Sequence, residues 1–262
     1  MKARHLPVCA LALLVTLLAG CGRQATTHVL FVGNSLTYVG NLPAVLGAMA
    51  KANGHMLQTD MIVKGGATLT DRVNDGSVKR ALAQRHYDIV VLQERGFDFA
   101  CGFGPAVCSN ARASLEKLAQ LTRTNHATPL LLGTYQDNPE ASDTIVQTES
   151  AAAHTNALPY VAVSGQLGLG LKRYPAESWF YTDGIHPGHE LVLLESVLLY
   201  RQLFGTLPQA QALDVQAPMY GPKAKFQPPS PVSLPLPNDG TPTGHAYSVQ
   251  DVEAAIALAR GD

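Results

Sequence analysis

The stretch "LFVGNSLTYVG", Leu30–Gly40, decides how the rest of the chain is read. An apolar run stops at Gly33, three polar residues follow (Asn34, Ser35 and Thr37), and only then does a new apolar pattern begin. A strand that ends in a glycine turn and passes into a helix capped by Asn or Ser accounts for the pattern. The same geometry would set Ser35 at the carboxyl end of a buried strand, where open α/β sheets place their ligands and where a nucleophile would be exposed.

The pattern recurs downstream. "HVLFVG", "LQTDMIV", "YDIVVLQ", "TPLLLGTY" and "LPYVAVS" are short runs rich in Val, Ile and Leu, of the kind that form strands buried on both faces. Between them stand "LPAVLGAMAKANG", "LTDRVNDGSVKRALAQRH" and "NARASLEKLAQLTRTNH", with apolar residues at helical spacing, and "HPGHELVLLESVLLYRQLFG" follows the fifth run as a further long helix. Strand alternating with helix predicts an α/β fold, a parallel sheet covered by helices through right-handed crossovers.

The ends differ from this middle. Lys2 and Arg4 open the chain, a short apolar stretch runs from Pro7 to Leu18, and "LAGC" closes it at Cys21. This resembles a bacterial lipoprotein signal over residues 1–20, with Cys21 lipidated and residues 21–27 as a tether, and Gly22 after the cysteine favours the outer membrane. The expected location is the cell envelope, with membrane contact through the lipid; an ordinary cleaved secretory signal is the alternative. From Leu207 to His245 the chain is dense in Pro and Gly and reads as extended, either a linker or a strap. "YSVQDVEAAIALAR" then recovers a helix, with Ser248 and Asp251 spaced as a capping box. The folded domain is thus expected over 28–206 and the Pro-rich segment with its helix over 207–262.

Composition excludes several classes. The 262 residues are 46% hydrophobic and 15% charged, which suits one domain with a sizeable core. A formal net charge of −1, with scattered Lys and Arg, lacks the basic footprint of a nucleic-acid binder. Cys101 and Cys108, in "CGFGPAVC", form the one cysteine pair inside the expected domain, and an exported protein would join them in a disulfide. No Walker loop, dinucleotide fingerprint or His-Glu-x-x-His pattern occurs, and no further Cys or His pair stands at zinc-ligand spacing. No cofactor or metal is expected.

A serine nucleophile needs a base, and the base an orienter. Asp183 and His186 stand three apart in "YTDGIHPG", a polar loop after the last strand. "VKGGATL" puts Gly65 and Gly66 after the second strand, where backbone N–H groups can approach an oxyanion, and "VVLQERG" puts Gln93 and Glu94 after the third. Trp179, Phe180 and Tyr181 precede the Asp-His loop and read as packing more readily than as pocket.

The ordered set "GNSLT", "GGATL", "LQERG" and "DGIHP" resembles the SGNH (GDSL-like) hydrolase superfamily over about residues 28 to 205. The resemblance implies a flavodoxin-like three-layer α/β/α sandwich with a five-stranded parallel sheet, and ester hydrolysis by Ser, His and Asp. It makes Ser35 the nucleophile and first oxyanion donor, His186 the base, Asp183 its orienter and Gly66 the second donor. The family's Gly-x-Asn-Asp block is missing, and "LQE" at its place assigns Gln93 to the third donor. Asn34 stands where the family usually has Asp. The expected substrate is a small ester or an acylated carbohydrate carrying short acyl groups; lipase or thioesterase activity, and a non-catalytic lipoprotein that binds glycan or a protein, stay open.

Overall fold

The computed structural model describes residues 25–238 and 240–261. The signal-like segment and Cys21 therefore lie outside the described residues. The opening stretch forms β1 (Thr27–Gly33) and a one-turn helix α1 (Ser35–Tyr38), followed by α2 (Leu42–Ala52) and β2 (Leu57–Val63). Next come α3 (Leu69–Asp75), α4 (Ser77–Gln84), β3 (Ile89–Leu92), α5 (Pro105–Thr124) and β4 (Thr128–Leu132). The domain continues through α6 (Pro139–Thr155), β5 (Tyr160–Val161), α7 (Ser164–Arg173) and α8 (His189–Phe204). Two short strands, β6 (Leu213–Val215) and β7 (His245–Tyr247), precede the last helix α9 (Val249–Arg260).

The first five strands form a parallel sheet in the order β2-β1-β3-β4-β5. Side chains of a strand alternate between faces, and β1 shows what that does in a sheet covered on both sides. Val29 and Phe31 enter one core with α2 and α8, while Leu30 and Val32 enter the other with α4 and α5. All four are at most 1% exposed, and each such side chain stabilises the fold by about 1.5–3 kcal/mol through burial. The sequence reads as an uninterrupted apolar run because neither face meets water. The strand order reverses between β1 and β3, and this switch point is where doubly wound sheets open a crevice at their carboxyl edge.

Two helical segments differ from their sequence reading. The stretch from Leu69 to Gln84, which reads as one helix, breaks at Gly76, whose φ of 65° sets it in the left-handed region and ends α3 before α4 starts. In α8 every residue from Leu191 to Tyr200 is buried, because α2 and α9 pack on it from different sides. Its stripe is correspondingly broad, and it carries the carboxyl of Glu195 into the interior.

The Pro-rich segment is a strap. β2 is an edge strand, and unpaired edge groups are a liability that proteins cover. Here Ser233 covers them: its N–H donates to the Met61 carbonyl at 2.8 Å, and its hydroxyl accepts from the Val63 N–H at 2.9 Å and donates to the Val63 carbonyl at 3.1 Å. The strap also holds the segment after Ser35, because the Gly40 N–H donates to the Tyr220 carbonyl at 2.9 Å and the Tyr38 hydroxyl to the Pro222 carbonyl at 3.3 Å. β6 and β7 then pair antiparallel, and α9, with the capping box of Ser248 and Asp251 formed, docks on α8.

Candidate active site

The turn after β1 is built by Gly33, Asn34, Ser35 and Thr37. Asn34 caps α1: its Oδ1 accepts the Leu36 N–H at 3.0 Å, while its Nδ2 donates to the Ala67 carbonyl at 3.1 Å. Ser35, 9% exposed, is the first residue of the helix, so its own N–H has no helical acceptor and, among the described residues, no other. Thr37 folds back over Gly33, where a Cβ would lie 2.1 Å from the Thr37 hydroxyl. That hydroxyl donates to Gln93 Oε1 at 2.5 Å, tying the turn that carries Ser35 to the end of β3. The motif "GNSLT" is thus a set of mutual constraints, each residue type required by its neighbour.

The turn after β2 lies alongside. The Ala67 N–H bonds back to the Lys64 carbonyl at 3.1 Å, and Gly66, at φ 68°, is exposed with no acceptor for its N–H among the described residues. Asn34 therefore joins the two turns whose free N–H groups belong to Ser35 and Gly66. Glu94 secures the other flank: buried at the end of β3, its carboxyl accepts from the Leu69 N–H at 3.1 Å and the Arg95 N–H at 2.9 Å. Burial pushes this carboxyl up to about 8, against the pull of those two N–H groups.

The third element is the loop between α7 and α8. Its base is closed by a Phe180–Pro187 bridge and by the Tyr181 N–H donating to the His186 carbonyl at 2.7 Å. Gly188 completes the closure, since a Cβ there would lie 1.8 Å from the Ser178 carbonyl oxygen. Within the loop Asp183 Oδ1 accepts the N–H groups of Ile185 and His186, both at 3.0 Å, and Oδ2 meets His186 Nδ1 at 2.7 Å. Desolvation draws the Asp183 carboxyl upward, but the hydrogen bonds from the His186 N–H, the His186 ring and the Ile185 N–H overcome it and hold the pKa at about 2. With Nδ1 donating its hydrogen bond to this carboxylate, the ring is oriented so that Nε2 is the nitrogen left to accept a proton.

Gln93 is placed differently from a residue aimed at an oxyanion. It is 1% exposed, its amide donates to the Gly133 carbonyl at 3.4 Å, and it faces the buried Glu195. Two buried polar groups lie within the apolar core: burial raises the Glu195 carboxyl and the Tyr135 hydroxyl well above their ordinary ranges, and Tyr135 also feels the charges of Glu195 and Asp183. The Thr37–Gln93 hydrogen bond and the buried Glu195 and Tyr135 were what sequence reasoning missed.

The Ser35 hydroxyl makes no hydrogen bond among the described residues. Of the aromatic triplet, Trp179 is buried, with Nε1 donating to the Tyr174 carbonyl at 2.9 Å, whereas Tyr181 is 45% exposed. Cys101 and Cys108 are joined in a disulfide that closes the loop leading into α5. Among the described residues no group of three or more His, Cys, Asp or Glu is arranged to hold a metal ion.

No protein-family model matches the chain, and no curated protein matches it either. Solved structures do. A protein from Slackia heliotrinireducens, described provisionally as an SGNH hydrolase, is 21% identical, with a TM-score of 0.56 over 68% of this chain and 100% of its own. A variant of an acetyl xylan esterase from Geobacillus stearothermophilus is 16% identical, with a TM-score of 0.55 over 70% of this chain and 97% of its own. A DUF4886 family protein from Bacteroides uniformis, 13% identical, reaches a TM-score of 0.61 over 90% of this chain and 94% of its own. At these identities the likeness is one of architecture: the five-stranded parallel sheet with its flanking helices is the α/β/α fold of the SGNH hydrolases.

Proposed function

We propose that the protein is a serine esterase that removes short acyl groups, including acetyl groups on carbohydrate, from a site built by Ser35, His186 and Asp183. The observation that carries this reading is the His186–Asp183 pair, 2.7 Å apart on a closed loop, in a fold whose sheet presents Ser35 at its switch point. Ser35 Oγ attacks the acyl carbonyl as His186 Nε2 takes its proton, and Asp183 stabilises the imidazolium that forms. The N–H groups of Ser35 and Gly66 receive the developing oxyanion. The tetrahedral intermediate collapses to an acyl-enzyme, with the alcohol leaving on a proton from His186, and water repeats the sequence to release the acid. Gln93 serves this chemistry by fixing Thr37 and hence the turn that carries Ser35.

Support for a short acyl group on a sugar comes from the acetyl xylan esterase among the structural neighbours and from the Thr182, Thr241, Asn238 and His245 side chains that stand among the apolar residues around Asp183. The "LAGC" segment supports export and attachment to the envelope through Cys21, probed by metabolic labelling with a fatty-acid analogue.

Hydrolysis of p-nitrophenyl esters from acetate to palmitate tests the reading. Rates that fall steadily with acyl length support it, and a maximum at the long-chain esters would replace it with a lipase.

A further inference from the structure

A cavity of about 530 Å³ opens against the Asp183 loop, well within the roughly 300–1,000 Å³ of small-molecule sites. One wall is the triad loop itself, through Tyr181 and Asp183, and a second is Val39 and Gly40, just beyond the helix that Ser35 begins. The start of α8 adds His189, and the strap closes the rest with Tyr220, Lys223, Thr241 and His245. The catalytic reading uses none of these except Asp183. Because the strap is hydrogen-bonded to Tyr38 and Gly40, its wall is held in register with the nucleophile's turn.

The lining has the chemistry of a site for rings that carry hydroxyl groups and an apolar C–H face. Tyr181 is the one member of its aromatic triplet that leaves the core, so its ring offers an apolar face with a hydroxyl at the tip. His189 stacks on His245 at 3.7 Å, with the rings 5° from parallel. Burial, and then the neighbouring His245, lower the His189 pKa to about 4, and burial lowers that of His245, so both rings are neutral near neutral pH. A neutral imidazole has one donor and one acceptor nitrogen, the pairing a hydroxyl can satisfy from both sides. His189 Nδ1 is buried with no partner among the described residues, although buried nitrogens are ordinarily bonded. Lys223 and Thr241 add a cation and a hydroxyl, and an acyl chain seated here would leave the buried His189 nitrogen without a partner.

We infer that this cavity is the subsite for the alcohol part of the ester, and that the alcohol is a carbohydrate of one or two rings. The inference rests on the esterase reading above and adds to it the strap as the element that selects the substrate.

The test compares ethyl acetate with mono-O-acetylated xylobiose as substrates of the wild-type protein and of two variants, Thr241→Trp, which fills the cavity, and Tyr181→Ala, which removes its exposed ring. The wild type is expected to favour the sugar ester in kcat/KM by at least tenfold, and each variant to reduce that preference by at least tenfold, mainly through KM. A wild type without the preference, or variants that both retain it, overturns the inference while hydrolysis of ethyl acetate leaves the esterase reading standing. If neither ester is cleaved, calorimetric titration of xylobiose into Ser35→Ala protein reads the cavity alone: binding that Thr241→Trp abolishes supports the subsite, and no binding overturns it. Thermal melting qualifies each variant as folded, and Tyr181→Ala, at an exposed side chain, carries the result should Thr241→Trp not fold.

Discussion

Asn34 Nδ2 donates to the Ala67 carbonyl at 3.1 Å, and through this one hydrogen bond the turn after β1 is fixed to the turn after β2. The same side chain caps the helix that Ser35 begins. Asn34→Ala therefore removes a cap, at about 1 kcal/mol, and leaves a buried carbonyl unpaired, at about 1–3 kcal/mol. It also frees the Ser35 and Gly66 N–H groups to move apart, and kcat is expected to fall roughly 10²-fold, the scale of one lost oxyanion donor, with KM little changed. Steady-state kinetics beside a urea melt separate the two effects; a loss of stability with unchanged kcat would make Asn34 a cap alone.

Thr37 and Gln93 are expected to act as one unit. If Gln93 works by holding Thr37, then Thr37→Val, Gln93→Ala and the double variant all lose similar activity, and the double-mutant cycle shows a coupling comparable to either single loss. Additive losses would instead describe Gln93 as a direct oxyanion donor.

Asp183→Asn keeps the shape of the loop but cannot hold the His186 ring in the same protonation pattern. Activity is expected to fall by roughly 10²–10⁴. Since the Asp183 carboxyl is held at about 2, it stays ionised through the acid limb of the rate profile, so that limb is expected to belong to another group. Rate against pH for the wild type checks this: an inflection near 2 alone would make Asp183 the controlling group.

Glu149, buried on α6, accepts the Thr134 N–H and hydroxyl and the Tyr160 hydroxyl, and burial pushes its pKa from 4.5 up to about 7 despite these donors. The folded state thus holds a proton that the unfolded chain releases. Its contribution to stability is complete below 4.5 and is lost as pH rises toward 7. Glu94, raised to about 8, acts with the same sign. Denaturant melts across this range should show stability declining with pH, and Glu149→Gln should flatten the decline while lowering stability overall. An unchanged slope in the variant would contradict the assignment.

The framework was legible in the sequence where a single periodicity dominated. The five apolar runs became β1 to β5, with β1 and β3 buried on both faces over most of their length, and "GNSLT" carries its own local logic in Gly33, Asn34 and Thr37. Helices α6 and α7 gave weaker signals, one threaded with Ala and Thr and without a clear apolar stripe, the other short and carrying three glycines. The break between α3 and α4 depends on the left-handed backbone at Gly76, which periodicity alone does not register. What the strap does was not readable, because Ser233 meets Val63 across 170 residues. The direction of Gln93 was equally hidden: its hydrogen-bond partners Thr37 and the Gly133 carbonyl lie 56 and 40 residues away in the chain.

The central claim is that Ser35 is the nucleophile. Its most direct test is turnover of p-nitrophenyl acetate by the wild type beside Ser35→Ala, with circular dichroism on both to establish equal folding. The account predicts hydrolysis by the wild type and a rate in the variant no higher than the uncatalysed background. Wild-type activity in Ser35→Ala would contradict it and move the chemistry away from the carboxyl end of β1.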